Sequence, residues 1–217
     1  MEKIILASKS SRRRSWLQER VGALDVELSS FSLSTPEPEP INGLEVGFQT
    51  EQICLHKIKA VLREIIERGD VDDRTLVVVS DTLVEDPDDI MIPLGKPSDP
   101  LLAASMLIRL SGRRHRVWSS SGIIYPFFEN GMIRFQGGRG ARIWTDCSIV
   151  EFSIIDEGKL EELVGSESWL GKSGGYDLAG EAAEIAKLVE GEEITVLGFS
   201  PRAIEEVISR VSNSKQT

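Results

Sequence analysis

The chain reads as an α/β protein on three observations. An apolar run at residues 4–7, IILA, passes directly into a polar, helix-like stretch. LVVVS at 76–80 is β-branched and apolar up to its final serine. Strand-like and helix-like segments then alternate along the rest of the chain.

Each element has its own justification. IILA is short enough for a buried strand, and the following SSRRRSWLQERVG predicts a helix with Ser10 or Ser11 as N-cap and Gly22 as its stop. VELSSF at 26–31 predicts a strand. Residues 36–40, PEPEP, must be non-helical, since each proline lacks an N–H and restricts the residue before it. Across 50–68, Ile53, Ile58, Val61, Leu62, Ile65 and Ile66 recur at helical spacing, with a stop at Gly69. LVVVS predicts a central strand, with Asp81 just past its end. A helix is expected over 100–110, a strand over 116–125 after an SGRRH turn, a glycine-rich mobile loop over 130–140, and a long β segment over 141–152. The remainder predicts a helix at 156–164, a strand at 194–199 (ITVLGF), a helix at 202–211 and a frayed SNSKQT tail; no repeat is visible.

Bulk properties narrow the function. The 217 residues suffice for one large domain or two small lobes with a substantial core. With 25 Lys and Arg against 35 Asp and Glu, the net charge of -10 opposes broad nucleic-acid binding, which depends on cationic side chains releasing counterions. It still allows a small anion at one basic pocket. The two cysteines, Cys54 and Cys147, lack metal-ligand spacing and read as buried thiols in a reducing compartment. No apolar stretch reaches the roughly 20 residues of a membrane span, so the expectation is a cytoplasmic protein with no membrane partner.

Loops after the apolar strands are where ligands sit in open α/β sheets. The first offers Ser8, Ser10 and three arginines, Arg12 to Arg14. Hydroxyls, free helix amides and guanidinium forks together suit phosphate; the plainer reading is a solvated basic turn. Arginine at a helix N-terminus opposes the dipole by about 0.3–1 kcal/mol, which favours the phosphate reading. Asp81, in VVVSDT, suits a Mg²⁺ ligand or a general base, or else a turn cap. Lys57 and Lys96 could balance a polyphosphate or lie solvated on the surface. His56 and His115 are too few and too far apart for a zinc site, and no GxSxG or Walker A sequence occurs. GKSGGY at 171–176 reads as a turn.

LASKSSRRR, LHKIKA, SDTLV, LGKPSDP, MLIRLSGRRHRV, GKSGGYDLAG and VLGFSP occur in the order and approximate spacing of the Maf, or septum-formation-inhibitor-like, nucleotide pyrophosphatases. Each is weak alone, but jointly they are specific, and the resemblance spans almost all of 1–217 as a single domain. It implies an α/β fold with a long mixed central sheet flanked by helices, related to inosine triphosphatases, and a cleft between two lobes. It implies hydrolysis of a nucleoside triphosphate between the α and β phosphates with a divalent cation, Mg²⁺ or Mn²⁺, and a homodimer.

By the same resemblance, Ser8, Arg12 and Arg13 handle phosphate, Lys57 and Lys96 fall on catalytic lysines, and Asp81 is the proton acceptor and a metal ligand. A second acidic ligand of that family falls near Ser34 without a gap and on Glu37 with a short one, which makes Glu37 the candidate. Arg12 and Thr82 match relatives that favour dTTP and UTP. Ala179 stands where those relatives carry glutamine, while Ser11 and Thr195 replace a proline and an asparagine. These departures motivate an alternative, a nucleotide-binding regulatory protein with reduced or lost catalysis; noncanonical purine triphosphates are a third substrate class.

Overall fold

The computed structural model describes residues 2–41, 43–68 and 75–213. β1 (Glu2–Ala7) leads into α1 (Ser11–Val21), which starts where predicted: Ser10 is extended and its Oγ accepts from the Arg13 N–H at 3.3 Å. β2 (Val26–Phe31) returns parallel to β1 in full register. α2 (Val46–Arg68) begins earlier than the apolar pattern suggested. Its first turn carries Gly47, because an added Cβ would sit 2.9 Å from the Trp118 ring, and this small residue interrupts the periodicity. The expected stop at Gly69 lies outside the described residues.

β3 (Thr75–Asp86) is central and longer than LVVVS. It pairs antiparallel with β5 (Arg114–Tyr125) from Val77 to Val84, which keeps the chain extended well past Ser80. Asp81 therefore lies within the strand, not just past its end. β4 (Asp89–Leu94), absent from the sequence reading, folds back onto the far end of β3. α3 (Pro100–Leu110) starts with proline in its first turn and Asp99 capping the Leu102 N–H at 2.8 Å.

β5 and β7 (Gly140–Phe152) pair along their whole lengths. Between them, the glycine-rich stretch contains the two-residue β6 (Ile133–Arg134) and a 3-10 turn. α4 (Glu157–Gly165) follows its Asp156 cap, and α6 (Pro201–Asn213) closes the described chain, with 214–217 of the tail outside it.

The strand expected at 194–199 is instead a short helix, α5 (Glu193–Leu197), ending in a turn. The Gly198 and Phe199 N–H groups both donate to Ile194 O at 3.0 Å, and Gly198 adopts φ 122°. The β-branched residues there reflect burial, which Thr195 and Val196 achieve in a helix. The late strand is β8 (Ala186–Glu190), an edge on β7 whose exposed charges concealed it.

Among the described residues the mixed sheet has eight strands, running β2-β1-β3-β5-β7-β6, with β4 on β3 and β8 on β7. Near the start of β3, Leu76 and Val78 pack with α1 and α6 on one face, while Val77 and Val79 pack with α2 on the other. Toward its end, Val84 joins α3, α4 and Tyr176 in a separate core. The long strands thus carry two packed lobes. Cys54 is buried, but Cys147 is only half-buried, because it lies on β7 where that strand is partly exposed.

Candidate active site

The site begins where the edge of β3 changes partner. β1 covers Thr75 to Val79 and β4 covers Val84 to Asp86, so among the described residues no strand lies beside 80–83 on that edge. Side chains supply the missing donors. The Ser80 carbonyl accepts from Arg13 Nη1 at 3.2 Å and Lys57 Nζ at 3.5 Å, and the Thr82 carbonyl accepts from Ser173 Oγ at 2.6 Å. A cleft of about 740 Å³ opens over this break, lined from both lobes and within the size range of small-molecule sites.

Strand alternation sends Asp81 to the α2 face, along with Val77 and Val79. There Lys57 Nζ donates to Asp81 Oδ1 at 2.7 Å and to Glu37 Oε1 at 2.9 Å, and Lys96 Nζ donates to Glu37 Oε2 at 2.7 Å. Lys57 and Asp81 are buried; Glu37 and Lys96 are about half exposed. Burial disfavours the Lys57 ammonium, but Asp81 and Glu37 outweigh it and raise its pKa. Burial would likewise raise Glu37, yet the two lysines hold its carboxyl at about 2.

The loop carrying Glu37 is anchored by a residue the sequence reading missed. Glu64, buried on α2, accepts at Oε1 from the N–H and hydroxyl groups of both Ser34 and Thr35, at 2.8–3.3 Å. Lys57 and Glu64 lie seven residues apart on α2, two helical turns and so on one face. One helix thereby holds the loop at two points.

On the other face of β3, Arg13 lies half-buried in the wall. Its Nη2 donates to Thr82 Oγ1 at 2.8 Å, its guanidinium lies 5.9 Å from the Phe199 ring centre, and burial lowers its pKa. Arg12 reaches across to the second lobe, its Nη1 donating to Asp177 Oδ1 at 2.8 Å. Ser8 Oγ accepts from the Ser10 N–H at 3.2 Å, folding the loop that presents both arginines. Arg14 is exposed.

The structure therefore brings Ser8, Arg12, Arg13, Glu37, Lys57, Asp81, Thr82 and Lys96 to one cleft. Ala179 is not among the lining residues; it sits exposed in a turn beside Leu178, which is. The GKSGGY turn also lines the cleft, adding Lys172 and Ser173. Lining cations (Lys9, Arg12, Arg13, Lys57, Lys96 and Lys172) outnumber the carboxylates of Glu37 and Asp81 in a chain of net charge -10. Such a cleft focuses positive potential on an anion.

Among the described residues, no group of three His, Cys, Asp or Glu side chains is placed to hold a metal. Asp81 and Glu37 meet through Lys57. Two carboxylates fit Mg²⁺, which commonly takes one or two from the protein and completes its shell with phosphate oxygens and water.

A family model described as Maf-like protein matches residues 3–211. A dTTP/UTP pyrophosphatase of Lawsonia intracellularis is 27% identical over 95% of this chain and 83% of its own length. One from Cupriavidus metallidurans is 30% identical over 90% of each. Among solved structures, a HAM1 protein from Coxiella burnetii aligns over 98% of this chain and 100% of that one, with 13% identity and a TM-score of 0.49.

Proposed function

The chain belongs to the Maf-like protein family, and from that premise we propose that it hydrolyses nucleoside triphosphates between the α and β phosphates, releasing a monophosphate and pyrophosphate. The carrying observation is the buried Lys57–Asp81 pair at the break in the sheet edge, inside a cleft rich in cations. The relatives' names, dTTP/UTP pyrophosphatase, support pyrimidine substrates, as does the presence of Arg12 and Thr82 at the cleft.

The residues divide the work. Lys57 takes Asp81 Oδ1 and holds the carboxylate in place, which leaves Oδ2 to receive a proton from water as that water attacks the α phosphorus. As the new P–O bond forms, the bond to the bridging oxygen breaks, and the electron pair leaves with pyrophosphate. Arg12, Lys96 and Lys172 lie along the cleft where a triphosphate's negative charge would run, while Arg13 stiffens its wall. Asp81 and Glu37 would hold Mg²⁺ or Mn²⁺, which supplies Lewis-acid neutralisation of phosphate charge.

The test is a panel of dTTP, UTP, CTP, 7-methyl-GTP, ITP and XTP with Mg²⁺ or Mn²⁺, scored by pyrophosphate release. Turnover of dTTP and UTP is expected, falling about 10²–10⁴-fold in Asp81→Asn. Full activity in Asp81→Asn would remove its role as base. Binding without turnover across the panel would favour the nucleotide-binding regulatory reading.

A further inference from the structure

Thr82 faces the cleft, but its hydroxyl is already in use. Arg13 Nη2 donates to Thr82 Oγ1 at 2.8 Å, and Thr82 Oγ1 lies 2.7 Å from Ser119 Oγ, directly opposite it on β5. Ser119 is fully buried, and its Oγ also lies 2.7 Å from the Thr195 carbonyl of α5. A carbonyl only accepts, so the single Ser119 proton goes to Thr195 O. Between the two hydroxyls, Thr82 must then be the donor.

The chain of bonds has one direction: Arg13 to Thr82, Thr82 to Ser119, Ser119 to Thr195. The Thr82 proton points into the core, and one of its two lone pairs is taken by Arg13. What remains for a ligand is a single lone pair. Resting on the nucleotide reading above, we propose that Ser119 is a specificity-positioning residue: by fixing the direction of the Thr82 hydroxyl, it makes Thr82 acceptor-only toward a nucleobase. Uracil and thymine present an N3–H that satisfies such an acceptor. Cytosine presents a bare N3, and two lone pairs would face each other.

The experiment measures binding rather than turnover, using calorimetry with non-hydrolysable α,β-methylene analogues of UTP and CTP. Wild-type protein should prefer the UTP analogue. Ser119→Ala removes the acceptor, lets the Thr82 proton turn toward the cleft, and should reduce that preference about tenfold, the equivalent of one hydrogen bond. Ser119→Thr, which restores the hydroxyl, should keep it. Thr82→Val should erase it, and adding Ser119→Ala to Thr82→Val should change nothing further. An unchanged preference in Ser119→Ala would overturn the proposal, as would equal wild-type affinities or no nucleotide binding at all. Should Ser119→Ala fail to fold, Thr82→Val alone decides: a retained preference overturns the proposal. Preferential binding without hydrolysis would instead sink the pyrophosphatase reading and leave the relay standing.

Discussion

At the scale of the residue, Lys57 sets burial against charge. It is a buried ammonium that stays charged because Asp81 and Glu37 surround it. Removing one partner of a buried pair strands the other without compensation, typically a loss of about 3–5 kcal/mol. Lys57→Met should therefore lower the melting temperature by roughly 10 °C, at about 2–4 °C per kcal/mol for a chain of this size. Adding Asp81→Asn should recover much of that stability without restoring turnover, a dissociation readable by calorimetry beside a pyrophosphate assay. Glu64 makes a different prediction. Glu64→Ala frees the four donors of Ser34 and Thr35 that hold the loop before Glu37, so backbone amides at 34–37 should exchange faster and more Mg²⁺ should be needed for half-maximal activity. Unchanged exchange would refute the anchoring. Nothing in the sequence separates Glu64 from a solvated helix carboxylate: its partners lie about 30 positions away, and only folding brings them together.

At the scale of the element, legibility followed local chemistry. Ser10 caps α1 with a side chain three positions from the amide it binds, so α1 could be located from adjacent residues alone, whereas the Asp99 cap of α3 went unread. β3 could be recognised but not measured, because its extension through Asp81 depends on β5, some forty positions later. ITVLGF misled for a related reason, since a buried surface selects β-branched residues in either backbone state. The turn that ends α5 has a purpose visible only in three dimensions. At Gly198, with φ 122°, an added Cβ would clash with the Arg13 guanidinium, so glycine is favoured both by conformation and by space. Gly198→Ala should destabilise the protein by about 1–3 kcal/mol and displace Arg13 from Ser80 and Thr82. The measurable signature is a joint loss of melting temperature and nucleotide affinity. Loss of stability with affinity intact would show that Arg13 tolerates the shift.

At the scale of the whole molecule, the first lobe's site residues were readable with their roles, whereas in the second lobe GKSGGYDLAG was matched as a motif while Lys172, Ser173 and Tyr176 were given no role. Tyr176 sits in GKSGGY, which reads as a turn, yet it lines the cleft and its hydroxyl lies 2.9 Å from Nε2 of the buried His115. That link ties the cleft to the second core, where His115 also meets Phe152 edge-on at 5.2 Å. The same arrangement makes the fold pH-sensitive. Burial lowers the His115 pKa from 6.5 to about 4, so the unfolded chain takes up a proton before the folded one can. Stability is complete above pH 6.5 and is lost progressively as pH falls toward 4, by about 3 kcal/mol if the full shift is expressed. Glu37 contributes in a lower window, from its ordinary 4.5 down to about 2, and less strongly because water screens its half-exposed side chain. The two windows can be separated. Urea denaturation of wild-type protein between pH 7 and 4.5 should show a falling unfolding free energy. His115→Phe should be less stable at pH 7, having lost the Tyr176 hydrogen bond, but nearly flat across that range. A slope as steep in His115→Phe as in wild type would assign the acid sensitivity to other groups, and the His115–Tyr176 link would then be neutral to protonation.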